Sequence, residues 1–330
     1  MIRHGLDETL DLLVVGAGPT TLVLLHDAKA AGLRAVALDK GPLCGALLQH
    51  PTYMKWFSTT QNLELCGFPL AAEDKNPTRR EYLRYCRHFA DFFQLEIVGY
   101  HEVTGIERHG DIFRVEARDL CGQHFTWAAR KVCVATGFYD SPRPMNVPGE
   151  TLAKVSHRYT EAHFYSGYDV LVVGAGSSAA EVALELWRAG ARVTIAMRGT
   201  EFNTKYWIKP DVENRIAEGS IVCYRNTEVL EVRPDEVVLR QGKDQTLSIE
   251  NDFVLAMTGY EPDTTLLREA GVEVDAVTKK PRLTAAYESS VPGLYVAGTL
   301  IAGVDSNVVF VENSREHGPA IVRDIVAKLR

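Results

Sequence analysis

One six-residue run occurs twice in this chain, and it constrains the fold more than any other feature. Leu13-Val14-Val15-Gly16-Ala17-Gly18 recurs unchanged as Leu171-Val172-Val173-Gly174-Ala175-Gly176, at an offset of 158 residues. The register holds downstream, because Gly32 follows Gly18 by 14 residues and Gly190 follows Gly176 by 14. Each later glycine precedes an apolar run, Ala35 to Leu38 in one copy and Val193 to Met197 in the other. Both copies therefore read strand, glycine turn, helix, turn, strand, which is a βαβ unit.

The glycines have separate physical tasks. The first permits the tight turn out of the strand. The second lets backbone approach a pyrophosphate at the helix N-terminus, where free N–H groups and the helix dipole favour an anion. The third position is a helix–strand contact; it is Ala179 in the second copy but Thr21 in the first, where slightly wider packing is expected. A lone G-x-G-x-x-G is weak evidence, whereas two copies in strand-to-helix context are strong. The bland alternative is an α/β protein with glycine turns and no nucleotide. The candidate phosphate-binding residues are Gly16, Gly18, Pro19 and Thr20 in the first turn and Gly174, Gly176, Ser177 and Ser178 in the second.

The residues closing the second strands differ in sign. Asp39 suits ribose hydroxyls, and Arg198 suits a ribose 2′-phosphate. The first site thus prefers a dinucleotide without that phosphate, and the second prefers NADPH over NADH. Lys205 and Lys209 follow closely, either adding charge there or lying solvated.

Between the repeats, Thr78 and Glu81 form a capping-box pattern opening a helix through about Phe93. Alternating strands are predicted over about Glu102 to Arg108 and Ile112 to Ala117. Apolar strands at Lys131 to Ala135 and Phe253 to Met257 run into Thr136-Gly137 and Thr258-Gly259. A further strand, Leu294 to Ala297, ends at Gly298, and Val308 to Leu329 reads as mostly helical. The prolines and glycines near Pro148 and Gly259 mark two crossings. The expected architecture is α/β: two Rossmann-like domains, with residues 149–258 inserted into a first domain of 1–148 and 259–330.

Length and composition agree with that division. A chain of 330 residues with 46% hydrophobic and 24% charged residues fits two globular domains. The net charge of -7 argues against an extended nucleic-acid surface. No run approaches the roughly 18 apolar residues of a membrane span, and Met1 to Leu10 lacks the basic-then-apolar order of a signal peptide. A cytoplasmic protein without nucleic-acid or membrane partners is expected. The six cysteines are scattered with no C-x-x-C pair, so no disulfide framework is expected. No residue pattern reads as a metal site.

In motif order the chain resembles the low-molecular-weight thioredoxin reductase group of two-dinucleotide flavoproteins. The matching segments are Gly16-Ala17-Gly18, Ala135-Thr136-Gly137, Gly174-Ala175-Gly176 and Gly293-Leu294-Tyr295-Val296-Ala297-Gly298. Within that group it is most similar to the bacillithiol disulfide reductases. Phe57-Ser58-Thr59, Pro77-Thr78-Arg79-Arg80, Lys205-Tyr206-Trp207-Ile208-Lys209-Pro210-Asp211 and Glu312-Asn313-Ser314-Arg315-Glu316-His317-Gly318 carry this narrower match. The resemblance implies FAD in the first unit, NADPH in the second, and a homo-oligomer that reduces a small-molecule disulfide or a small redox protein. It also implies that Lys40, Gly45, Thr136, Gly137, Gly298, Thr299 and Phe310 line the FAD site, with the last helix starting near Phe310 and Val311.

Two departures qualify what the resemblance implies. Thioredoxin reductases carry a C-x-x-C in the NADPH domain, whereas the stretch after Gly174-Ala175-Gly176 contains no cysteine here, and Cys223 further on stands alone. The bacillithiol reductases are similar to a one-cysteine design with that cysteine in the first glycine turn, and the matching position is Thr20, a poor substitute for a thiolate. Cys44, in Lys40-Gly41-Pro42-Leu43-Cys44-Gly45, is the replacement candidate, against the simpler reading of a small buried side chain. The group's usual Asp after the final glycine is Thr299 here, with Asp305 later. Glu316 and His317 read as proton-donor candidates or as helix-surface residues. Alternative functions are a flavin-dependent monooxygenase, a ferredoxin or flavodoxin–NADP reductase, and a non-catalytic cofactor-binding module.

Overall fold

The structure, a computed structural model, describes residues 9–305 and 308–329. The chain begins with β1 (Leu10–Val15), α1 (Pro19–Ala30), β2 (Ala35–Leu38), α2 (Thr60–Leu63), α3 (Arg79–Phe92), β3 (Ile97–Val98), β4 (His101–His109), β5 (Ile112–Asp119) and β6 (His124–Val134). It continues with β7 (Val155–Ser156), β8 (Asp169–Val173), α4 (Ser177–Arg188), β9 (Arg192–Ala196), α5 (Lys209–Ala217) and β10 (Val222–Tyr224). Next come β11 (Thr227–Val232), β12 (Glu236–Gln241), β13 (Gln245–Glu250) and β14 (Phe253–Ala256). The last elements are α6 (Thr265–Glu269), β15 (Leu294–Val296), α7 (Val311–Ser314) and α8 (His317–Leu329). Most of the N-terminal stretch read for a signal peptide lies outside the described residues. No described helix is long and apolar enough to cross a membrane.

Two compact units divide the chain. One takes the chain up to Leu48, Tyr53–Ser141 and Glu261 onward; the other takes Gln49–Thr52 and Pro142–Tyr260. The second thus interrupts the first in sequence, and each is built around one copy of the repeat.

In the first unit β1 lies between β2 and β6, parallel to both. Its side chains alternate between two apolar layers: Leu13 and Val15 pack among β2, β6 and β15 residues, whereas Leu12 and Val14 pack with Leu24, Leu25 and Ile321 of α1 and α8. Burial on both faces explains why this strand reads as an unbroken apolar run. The strand expected from Lys131 begins at His124 instead. Its first half pairs antiparallel with β5, and from Ala129 it runs parallel to β1, with β15 on its other side beyond Val132. The single strand carries the sheet from its parallel to its antiparallel half.

The capping box on α3 is formed: Thr78 N–H donates to Glu81 Oε2 over 2.7 Å, and Glu81 N–H donates to Thr78 Oγ1 over 3.2 Å. The expected C-terminal helix is broken. A four-residue turn, α7, ends at Ser314, and the long helix starts only at His317. Gly318 fits α8 against α1, where an added Cβ would come within 2.9 Å of Val23 and 3.1 Å of the Leu24 backbone nitrogen.

The second unit has a five-stranded parallel sheet, β10-β9-β8-β14-β7, with α4 packed on it. Three further strands, β11, β12 and β13, form an antiparallel sheet that the sequence reading did not anticipate.

Candidate dinucleotide sites

Both repeats place the same turn at the same point. Gly16 has φ +102° and its added Cβ would lie 2.6 Å from the Ala135 carbonyl oxygen; Gly174 has φ +139° and the corresponding clash is 2.4 Å from the Met257 oxygen. Only glycine brings each first strand that close to the neighbouring strand's end. The second glycines differ in kind. Gly18 (φ -80°) and Gly176 (φ -82°) are the N-caps of α1 and α4, and an added Cβ on either would meet nothing within 4 Å. Neither helix has a side-chain cap, so the first-turn N–H groups face open space, as an anion cradle requires. Pro19 sits at the first helical position, where the missing N–H costs nothing.

In the first unit the glycine turn is tied to the end of β2. Ala17 N–H donates to Asp39 Oδ2 over 2.6 Å, Gly41 N–H donates to Asp39 Oδ1 over 2.7 Å, and Cys44 N–H donates to the Ala17 oxygen over 2.9 Å. Burial pushes the Asp39 carboxyl above its usual range, and the two N–H donors pull it partly back. A carboxylate accepting one bond on each oxygen retains lone pairs for ribose hydroxyls. Lys40 forms a 2.8 Å ion pair with Asp140, and Gly45 N–H closes a turn onto the Pro42 oxygen at 2.8 Å.

The far side of this site comes from the C-terminal segment. Thr20 is buried and its Oγ1 donates to Ser314 Oγ over 2.8 Å. An added Cβ on Gly298 would lie 3.3 Å from Thr20 Oγ1, and one on Gly137 would lie 3.4 Å from Thr299 Oγ1. Gly137, Gly298, Thr299 and Thr20 thus meet at the start of α1, while Thr136 is exposed beside them. Phe310 is exposed and caps α7, its N–H donating to Asn313 Oδ1 over 2.8 Å. Thr21, the odd residue of the motif, is fully buried and donates to the Gly16 oxygen over 2.9 Å, so the turn's own carbonyl satisfies the hydroxyl.

One expectation is corrected, and one pair of alternatives is narrowed. His317 is not a helix-surface residue: it is 4% exposed, stacks on Tyr287 at 4.2 Å, and its Nδ1 accepts from Gly298 N–H over 3.1 Å. Burial lowers its pKa to about 4, so it is neutral near pH 7 and cannot serve there as a protonated donor. Cys44 is 2% exposed and packs with Cys86; a hydrogen bond with the Cys86 thiol first, then burial, holds its own thiol well above the ordinary range. A thiol so placed forms little thiolate near pH 7, which fits the simpler reading of a small buried side chain.

In the second unit Ser177 opens α4, and Thr204 Oγ1 donates to its Oγ over 3.2 Å; Ser178 is exposed. The loop from Asn203 lies on the glycine turn, with Asn203 N–H donating to the Ala175 oxygen over 2.8 Å. Arg198 and Lys205 are exposed without an ion-pair partner among the described residues, whereas Lys209 is paired with Glu201 at 2.9 Å. Glu181, on α4, is a residue the sequence reading passed over. Burial pushes its pKa to about 7, Glu185 adds to the rise, and Lys205 opposes it.

This geometry defines a class: a two-dinucleotide α/β oxidoreductase. The model of the pyridine nucleotide-disulphide oxidoreductase family matches residues 13–298. The chain is similar to bacilliredoxin reductase of Bacillus subtilis, 34% identical over 320 residues, covering 96% of this chain and 97% of the relative. The crystallised bacillithiol disulfide reductase of Bacillus cereus superposes with TM-score 0.95 at 33% identity, covering 97% of this chain and 100% of the other. Thioredoxin reductase of T. acidophilum shares the fold, with TM-score 0.75 at 21% identity over 98% of this chain and 99% of the other. The chain belongs to the pyridine nucleotide-disulphide oxidoreductase family, and it is a FAD- and NADPH-dependent oxidoreductase.

Proposed function

We propose that the chain reduces a low-molecular-weight disulfide of the bacillithiol kind, NADPH + H⁺ + RSSR giving NADP⁺ + 2 RSH. The full-length similarity to bacilliredoxin reductase carries this reading. FAD supplies the two-electron exchange between NADPH and acceptor. The chain's own part is to hold and orient. The α1 N-terminus and Gly18 take the FAD pyrophosphate, Asp39 the ribose, and Thr136, Gly137, Gly298 and Thr299 the segment entering the flavin pocket. Gly176, Ser177 and Ser178 take the NADPH pyrophosphate, and Arg198, with Lys205 behind it, takes the 2′-phosphate.

No cysteine lies within either glycine turn, and Cys44, whose N–H donates to the Ala17 oxygen of the first, is buried. Thr20 occupies the first and is bonded to another hydroxyl, which supplies no base. Without a cysteine there, the acceptor would meet directly the flavin that these residues would hold. The same observation favours a second reading, in which the acceptor is a ferredoxin or flavodoxin. Anaerobic stopped-flow separates the two: enzyme reduced with NADPH is mixed with bacillithiol disulfide, ferredoxin, flavodoxin or oxygen. Fastest reoxidation by the disulfide is expected. Faster reoxidation by ferredoxin or flavodoxin replaces the first reading with the second.

A further inference from the structure

The first unit brings together three metal-ligating side chains that its cofactor chemistry does not use. His26 and Asp27 lie in the second half of α1, and Cys66 lies on the turn from Leu65 to Phe68. One ligand atom of each, an imidazole nitrogen, a carboxylate oxygen and the thiol sulfur, falls within 4.8 Å of the other two. Sequence spacing does not suggest the group, because Cys66 is remote from the other two along the chain.

Several features show these side chains to be held in place. The Cys66 turn closes through Phe68 N–H to the Leu65 oxygen at 2.9 Å, and Tyr85 pins both ends: Leu65 N–H donates to its hydroxyl over 2.6 Å, and that hydroxyl donates to the Phe68 oxygen over 2.9 Å. Cys66 itself is fixed at φ +48°, a conformation non-glycine residues rarely adopt. The His26 ring packs edge-on to Phe93 at 4.6 Å and against Phe89 at 5.9 Å, so one wall of the cluster is apolar. Asp27 Oδ1 bonds His26 Nδ1 at 2.9 Å, while Asp27 Oδ2 is buried with no hydrogen-bond partner. A buried carboxylate oxygen left unpaired is costly unless something cationic meets the group.

We propose that His26, Asp27 and Cys66 form a binding site for one borderline-soft divalent cation of the zinc type. Mixed nitrogen, oxygen and sulfur donors select such an ion over magnesium or calcium. Binding replaces the thiol proton, which leaves to solvent, by a metal–sulfur bond. The His26–Asp27 hydrogen bond gives way to two metal contacts, and small side-chain rotations bring the donors to about 2.0–2.3 Å from the ion. Water completes a tetrahedral shell. The ion would brace α1, whose other end is the candidate FAD cradle, against the Leu65–Phe68 turn.

Cobalt(II) titration of the metal-stripped flavoprotein tests the site, because a thiolate ligand gives cobalt a near-ultraviolet charge-transfer band. One cobalt per chain with that band is expected, displaced by zinc. Cys66→Ser should abolish the band, and Asp27→Asn and His26→Gln should each weaken binding by at least the roughly 10–100-fold that losing an outer-shell partner costs. FAD content and NADPH turnover serve as the folding control for every variant. Absence of saturable binding, binding without the band, or a band that survives in Cys66→Ser would overturn the site. So would parental affinity in a normally flavinylated Asp27→Asn protein.

Discussion

Thr20 Oγ1 donates to Ser314 Oγ across 294 positions of sequence, joining the first turn of α1 to the end of α7. The bond occupies the position at which the resemblance to bacillithiol reductases implies a cysteine. A buried hydroxyl pair of this kind contributes about 1 kcal/mol net. Thr20→Ala should therefore lower thermal stability by that amount and leave FAD content and NADPH-driven turnover nearly unchanged. A large loss of turnover at normal flavin content would show that the hydroxyl takes part in electron transfer.

Gly16 and Gly18 should fail in different ways. Gly16→Ala forces a side chain into a left-handed backbone 2.6 Å from the Ala135 oxygen, which should cost about 3 kcal/mol or more and give little soluble protein. A Cβ added at Gly18 meets nothing within 4 Å, so Gly18→Val should fold but purify colourless, because the valine fills the pyrophosphate's approach. Circular dichroism and bound-flavin absorbance distinguish the outcomes. A yellow Gly18→Val protein would remove FAD from this turn.

Arg198 is exposed and has no ion-pair partner among the described residues, which suits its guanidinium to meet a 2′-phosphate. Arg198→Ala should raise KM for NADPH by about one to two decades, a contact of roughly 2–3 kcal/mol, and leave KM for NADH almost unchanged. Equal effects on both cofactors would assign Arg198 no part in phosphate discrimination.

In the metal-stripped protein, thiol alkylation should reach Cys66 and Cys121, which are exposed, before Cys44, Cys86 and Cys133, which are buried. Turnover should survive the modification, since no accessible thiol lies at either glycine turn. Mass spectrometry of the labelled sites, read against residual activity, checks both statements. Inactivation that tracks labelling of Cys44 would restore it as a redox thiol.

His317 sets an acid limit on stability. Its folded pKa of about 4 lies below the ordinary value of 6.5, so the unfolded chain binds the extra proton between those two values. The stabilisation is complete above about pH 6.5 and is lost as pH falls through about 4, up to roughly 3 kcal/mol in all. Urea melts of the parent between pH 7 and 4 should show this component, and His317→Gln should lack it. Parallel pH profiles for the two proteins would contradict the burial argument.

The elements legible in the sequence were those written locally. The twin glycine turns, the β1 and β8 runs and the Thr78–Glu81 capping box depend on residues a few positions apart, and each stands where the pattern put it. What escaped depends on distant partners. Nothing near His317 announces that Gly298 and Tyr287 will enclose it, and nothing near Cys44 announces Cys86. The break after Ser314, by contrast, left a local trace that was passed over: Glu312 to His317 holds no apolar residue, and Pro319 suits the first turn of a new helix. The start of β6 was misplaced for another reason: His124 to Trp127 lies in the half of the sheet with an exposed face, where the apolar run used as a signal gives way to alternation.

β6 acquires its last neighbour late in the life of the chain. It ends at Val134, and its partner β15 begins only at Leu294, so roughly 160 residues and on the order of 10–30 s of ribosomal synthesis separate them. During that interval one edge of β6 is uncovered, as is the face of α1 that α8 later covers. The interrupting unit, whose strands are all present by Ala256, is complete well before the unit that precedes it. Translation order thus inverts sequence order: the inserted unit is the first finished product, and the half-built first sheet is the surface a nascent-chain chaperone would meet.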